Sequence, residues 1–170
     1  YKTGEVKALV TYPSYDPNDL ATHDLADSTK AWNRLNADPD KPMANRATKE
    51  IYPPGSTFKL ISLMVALEHG LIDTSQVFDT GNGSWKYSDR TIYDSDYGRG
   101  SHGPMTVKQI FEKSSNVGVA KIITSCYDEN PTKFVDELHE MGITKPLDLE
   151  LQGEGVPFFK YPGDKDWWGT

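Results

Sequence analysis

Apolar residues along this chain gather into a few helical stretches, separated by long polar segments rich in Asp, Asn, Gly and Pro. The strongest stretch holds Leu60, Ile61, Leu63, Met64, Val65, Ala66 and Leu67. It is apolar nearly all round, so the pattern predicts a buried central helix over 56–69. Pro53-Pro54-Gly55 sets a turn ahead of it, and Glu68-His69-Gly70 stops it, with Gly70 as a left-handed cap. Two shorter helical patterns follow at 106–113 and 116–126, and Thr106 with Gln109 reads as a capping box for the first. Asn130-Pro131 joins an N-cap to a first-turn proline and opens a helix that ends at Gly142. Its charged face, with Asp136, Glu137 and Glu140, is expected in solvent.

Residues 4–12 alternate as an edge or hairpin strand would. From Pro13 to Pro54 the chain is polar, with a short helix near Ala26 to Leu35. Residues 73–104 carry many Gly, Ser, Asp and Tyr without a helical period, which predicts loop and short strands. A loop this long in a compact domain usually lines a site. Residues 143–170 read as extended chain and loop, and no internal repeat interrupts the order. The expected class is α+β, rich in helix, with short strands.

Composition narrows the field. A length of 170 residues predicts one domain with a modest core. Only 36% of residues are apolar, low for a self-sufficient α/β enzyme. The net charge of −7 argues against nucleic acid and anionic membrane surfaces as partners. No stretch has the length and apolarity of a membrane span or signal peptide, so any anchor is expected upstream of Tyr1. Cys126 is the sole cysteine, which leaves no internal disulfide and no thiolate metal cluster. It is expected to be a buried structural residue. His23, His69, His102 and His139 lie far apart without ligand spacing, so neither a metal nor a cofactor is expected.

The candidate chemistry sits where the apolar helix begins. Ser56 and Lys59 lie three residues apart, which on a helix puts them on one face about a turn apart. A serine hydroxyl is a poor nucleophile until a neighbouring base takes its proton. A lysine serves as that base only when burial or nearby positive charge lowers its pKa. Taken alone, Ser-x-x-Lys arises by chance about once in a chain of this length. A second element adds weight. Ser114-Ser115-Asn116 falls between two helical patterns, where Ser114 can relay a proton and Asn116 can offer donor and acceptor to a peptide group.

Ser56-Thr57-Phe58-Lys59 and Ser114-Ser115-Asn116 resemble the first and second active-site motifs of the penicillin-binding proteins, the serine D,D-transpeptidases of bacterial walls. Lys2-Thr3-Gly4 through Val10, then Pro13 to Asn18, resembles the strand and turn that open the transpeptidase domain. Asn45-Arg46-Ala47, Gly103-Pro104-Met105-Thr106 and Met141-Gly142-Ile143 also fit. The likeness covers nearly the whole chain and is greatest to the class B, monofunctional type used in division and elongation. It implies the helix-rich part of a serine transpeptidase/β-lactamase-like α+β domain over 1–170, with its central sheet incomplete for want of the C-terminal strands.

One departure from the family pattern stands out. The third motif, Lys-Thr/Ser-Gly on a late strand, does not occur after Asn116, and Lys2-Thr3-Gly4 stands at the wrong end. With no initiator methionine at Tyr1, the chain is expected to be a piece of a longer enzyme, with the nucleophile but little turnover. Its missing strands would leave apolar surface bare and favour self-association.

The resemblance further implies the roles. Ser56 is the nucleophile, Lys59 the base, Ser114 the proton relay and Asn116 the substrate holder. Peptidoglycan stem peptides and β-lactam antibiotics are the implied ligands, cell-wall synthesis proteins the implied partners, and the periplasmic face of the inner membrane the implied location. Class D β-lactamases and their sensor relatives share Ser-Thr-Phe-Lys, but their second motif ends in valine, and Asn116 stands against them. A non-catalytic scaffold of a division complex is the other rival, and the intact motif residues count against it.

Overall fold

The computed structural model describes residues 3–99, 102–151, 153–165 and 167. Lys2 of the opening Lys-Thr-Gly and the closing Trp168-Gly169-Thr170 lie outside them. The chain forms two compact units, Tyr1–Tyr52 with Lys145–Phe158, and Pro53–Thr144 with Phe159–Thr170.

The first unit is built from short elements. A single 3-10 turn at Pro17–Asp19 precedes helix α1, Leu25–Ala37, whose N-cap Asp24 accepts from the Ala26 N–H at 2.7 Å. Arg34 on α1 reaches back to Asp19 at 2.6 Å. Helix α2 is one turn, Arg46–Lys49, held where Thr48 accepts from the Gly155 N–H. Among the described residues, 4–12 form no strand. The alternation is present, but a strand needs a neighbour to take its backbone groups, and these residues pair with none.

The second unit carries the core. Helix α3, Thr57–Glu68, packs against α5, Asn116–Tyr127, and against α6, Pro131–Glu140. Strands β1, Val77–Asp79, and β4, Pro104–Thr106, pair antiparallel, and β2, Ser84–Tyr87, and β3, Arg90–Tyr93, make a hairpin. Helix α4, Val107–Glu112, follows β4 directly, opened by the predicted Thr106/Gln109 capping box. Leu63, Val65, Ala66, Ile110, Ile122 and Leu138 form the buried centre, with Tyr127 against Phe134. Gly70 ends α3 at φ +64, as its position predicts. Asn130 caps α6 by accepting from the Lys133 N–H, with Pro131 in the first turn.

Three expectations change on this scaffold. Helix α3 is buried on one side only, because Leu60, Met64 and Leu67 form an exposed stripe at helical spacing. Glu137 is not on a solvated face but 4% exposed, accepting from the Tyr127 hydroxyl at 2.5 Å, with His69 and Lys133 each 3.6 Å from its other oxygen. A buried carboxylate is kept where such partners offset its lost hydration. Cys126 is half-buried rather than buried, packed at the edge of the core. No helix of the described residues is long and apolar enough to cross a membrane.

Candidate active site

Ser56 stands exposed at the cap of α3, following Gly55 at φ +60, a left-handed turn that suits glycine. Its own backbone is helical, φ −66, and its hydroxyl makes no capping hydrogen bond. The hydroxyl is therefore not spent on the helix end, unlike that of Thr57, which donates to the Pro54 carbonyl at 2.5 Å. Lys59 is half-buried one turn on.

The Lys59 ammonium points across to the second motif. Its Nζ donates to the Ser114 carbonyl at 2.5 Å and to the Ser114 Oγ at 3.0 Å. Its hydrogen bonds thus run to Ser114, where the sequence spacing alone predicts a partner in Ser56. Burial holds its pKa below the ordinary lysine range, opposed in part by the negative charge of Asp94.

Ser114 occupies the turn between α4 and α5 at φ +54, a left-handed conformation uncommon for serine. The turn is tied on both sides, since the Ser114 and Ser115 N–H groups donate to the Phe111 and Ile110 carbonyls at 3.0 Å each. Ser115 caps α5, its Oγ accepting from the Gly118 N–H at 2.8 Å. Gly118 itself lets α5 close on α4, since a Cβ there would meet Ile110 Cγ2 at 2.6 Å. Asn116 opens α5 and donates from Nδ2 to the Tyr93 carbonyl on β3 at 2.6 Å. Asn116 and Lys59 line one groove of about 270 Å³, with Phe58, Ser62, Val119 and Phe134. The structure thus joins Lys59 to Ser114 by hydrogen bonds and to Asn116 through a shared groove, and the lining of that groove includes neither Ser114 nor Ser56, which stands at the helix start.

Asp94 is the residue that motif reading misses. It is 5% exposed in the turn after β3, and both carboxylate oxygens accept from Ser115 Oγ at 3.0 Å. One of them also accepts from the Val117 N–H, in the first turn of α5, where the helix dipole favours negative charge. No spacing rule points to it. The signal was its place in a long polar loop facing a second-motif turn.

His102 is isolated in sequence but not in space. Donor atoms of Asp94, Asp96 and His102 lie within 4.8 Å of one another, the grouping among the described residues with the types and closeness a metal ion needs. Each already has a hydrogen-bond partner, Asp94 in α5 and His102 on Asp96 at 2.6 Å.

Comparison with known proteins identifies the family. The family model for the penicillin binding protein transpeptidase domain matches residues 1–160. The peptidoglycan D,D-transpeptidase PbpA of Mycolicibacterium smegmatis is 41% identical over 123 residues, covering 71% of this chain and 25% of the relative. MrdA of Escherichia coli strain K12, also a peptidoglycan D,D-transpeptidase, is 36% identical over 154 residues, covering 90% of this chain and 23% of the relative. The penicillin G acyl-enzyme complex of penicillin-binding protein A from M. tuberculosis superimposes with a TM-score of 0.66 at 31% identity, covering 83% of this chain and 31% of that one. The chain spans about a quarter of the length of the curated relatives it matches. With a helix-rich α+β fold and both motifs in the family order, the chain belongs to the penicillin-binding protein transpeptidase domain family.

Proposed function

We propose that the protein carrying this chain is a class B serine D,D-transpeptidase that cross-links peptidoglycan stem peptides through an acyl-enzyme on Ser56. The observation that supports it most is that Lys59, hydrogen-bonded to Ser114, shares one groove with Asn116. Lys59, in its neutral form, takes the Ser56 proton as the serine oxygen attacks the carbonyl of the penultimate D-alanine. The Ser56 N–H at the helix start donates to the developing oxyanion. Ser114 gives its proton to the leaving amine of the terminal D-alanine and is reprotonated by Lys59, whose Nζ donates to its hydroxyl, so the proton taken from Ser56 ends on the amine.

Asn116 keeps its amide oxygen for a substrate N–H while its nitrogen is held by Tyr93. An amine from a neighbouring stem peptide then attacks the ester and frees Ser56. A β-lactam enters the same route and stays bound, because its leaving group remains tethered. The relative solved as a penicillin G acyl-enzyme complex supports that step by similarity. On this reading the reaction takes place outside the cytoplasmic membrane, alongside other wall-synthesis proteins.

Labelling of the complete protein with a fluorescent penicillin tests the assignment. Ser56→Ala is expected to abolish the covalent band, and an undiminished band would remove Ser56 from this role. A lasting adduct is expected, whereas steady nitrocefin turnover would favour a β-lactamase.

A further inference from the structure

The turn that carries Ser114 depends on a group outside both motifs. Ser114 holds a left-handed backbone, φ +54, while its carbonyl and its hydroxyl both meet Lys59. A serine keeps that conformation only where its surroundings impose it. The next residue, Ser115, is 2% exposed and clamped on three sides. It donates to both oxygens of Asp94, accepts from the Gly118 N–H, and its own N–H is taken by Ile110. The Asp94 carboxylate reaches past it to the Val117 N–H. Asp94 is itself fixed, its N–H donating to the Gly83 carbonyl at 2.9 Å and its carbonyl accepting from the Tyr97 N–H.

We infer that Asp94 is a positioning residue for the acylation reaction, its buried carboxylate locking Ser115 and the start of α5 so that Ser114 presents both oxygens to Lys59. The inference rests on the transpeptidase reading above and extends it to a residue that does not touch substrate. It also gives Asp94 an electrostatic effect that a mere brace lacks. Its negative charge favours the protonated amine of Lys59 and works against burial. Its hydrogen-bond partner Ser114 is neutral, and the residues that share its groove, Asn116 from α5, Phe58 and Ser62 from α3 and Phe134 from α6 among them, carry no charge. Behind Asp94 stand Asp96 and His102, hydrogen-bonded to each other.

The test is the rate of fluorescent-penicillin acylation across pH, in the complete protein, for Asp94→Ala and Asp94→Asn. Alanine removes the acceptor, frees the Ser115 hydroxyl and lets the Ser114 turn relax. A shift of about an ångström in a catalytic group costs about 10²-fold, and a loss of that size is expected. Asparagine keeps an oxygen for Val117 and Ser115 without the charge. It is expected to recover most of the rate and to move the acidic limb of the profile to lower pH, because Lys59 loses a group that favours its protonated form.

Thermal unfolding of each variant reports whether it folds. If Asp94→Ala does not, the Asp94→Asn limb decides alone. A folded Asp94→Ala that labels at full rate, or an Asp94→Asn limb superimposed on that of the parent, would overturn the assignment. In both cases a silent Ser56→Ala would show that the acylation reading itself still holds, while a labelled Ser56→Ala would overturn both.

Discussion

Lys59 and Ser114, 55 residues apart in the chain, meet through two hydrogen bonds from one amine. The Nζ is held by the Ser114 carbonyl and hydroxyl at once, so its position is set by the backbone of the α4–α5 turn as well as by its own helix. That relationship links the two motifs physically, and the first three predictions follow from it.

Lys59→Ala in the complete protein should slow acylation by about 10²–10⁴-fold, the usual contribution of a positioned proton acceptor. The fold should persist, since Lys59 is half-buried and its loss vacates only the edge of an open groove. Stopped labelling with fluorescent penicillin gives the rate, and circular dichroism checks the fold. Unchanged labelling would place the base elsewhere.

The pH profile of acylation carries the sign of the Lys59 shift. Burial lowers its pKa below the ordinary 10.5, so the neutral amine is populated at lower pH than in a free lysine. Acylation should rise with pH through this lowered value and then level off, the rise being the titration of the base. A limb at or above 10.5 would mean that the amine is not desolvated when it acts.

Gly118→Ala should damage both stability and rate. Its Cβ would meet Ile110 Cγ2 at 2.6 Å and Cγ1 at 2.7 Å, in a fully buried contact between α4 and α5. Overpacking of this kind costs about 1–3 kcal/mol, and the strain falls on the turn that carries Ser114. Denaturant unfolding measures the first effect and penicillin labelling the second.

Tyr127→Phe should destabilise the protein without touching the groove. Its hydroxyl donates to Glu137, whose other oxygen has, among the described residues, only charge partners, His69 and Lys133, at 3.6 Å. Burial and the carboxylate push the phenol well above its usual range, so it stays protonated and donating. Removing a donor from a buried carboxylate costs about 1–3 kcal/mol, readable by denaturant unfolding with the acylation rate per folded molecule unchanged.

These cases show how much of the molecule was legible in the chain. Helix starts and stops were, because caps are local. Thr106 with Gln109, Asn130 with Pro131, and Gly70 each act within a turn of where they sit. Sidedness was not. The exposed stripe of Leu60, Met64 and Leu67 and the burial of Glu137 depend on which neighbours pack against α3 and α6, and periodicity carries no record of that. The strand pattern of 4–12 failed for the same reason, since pairing is a property of two segments. In the candidate site, Ser56, Lys59, Ser114 and Asn116 stand out in the sequence as motif letters. Asp94 was legible only as one polar residue of a long loop, because it reaches α5 from a segment that no motif spacing includes.

The most direct measurement is the mass of the penicillin adduct followed by peptide mapping of the complete protein. A single covalent addition is expected, found on the peptide containing Ser56 and absent from Ser56→Ala. An adduct mapped to any other residue, Ser114 or Ser115 included, would contradict it.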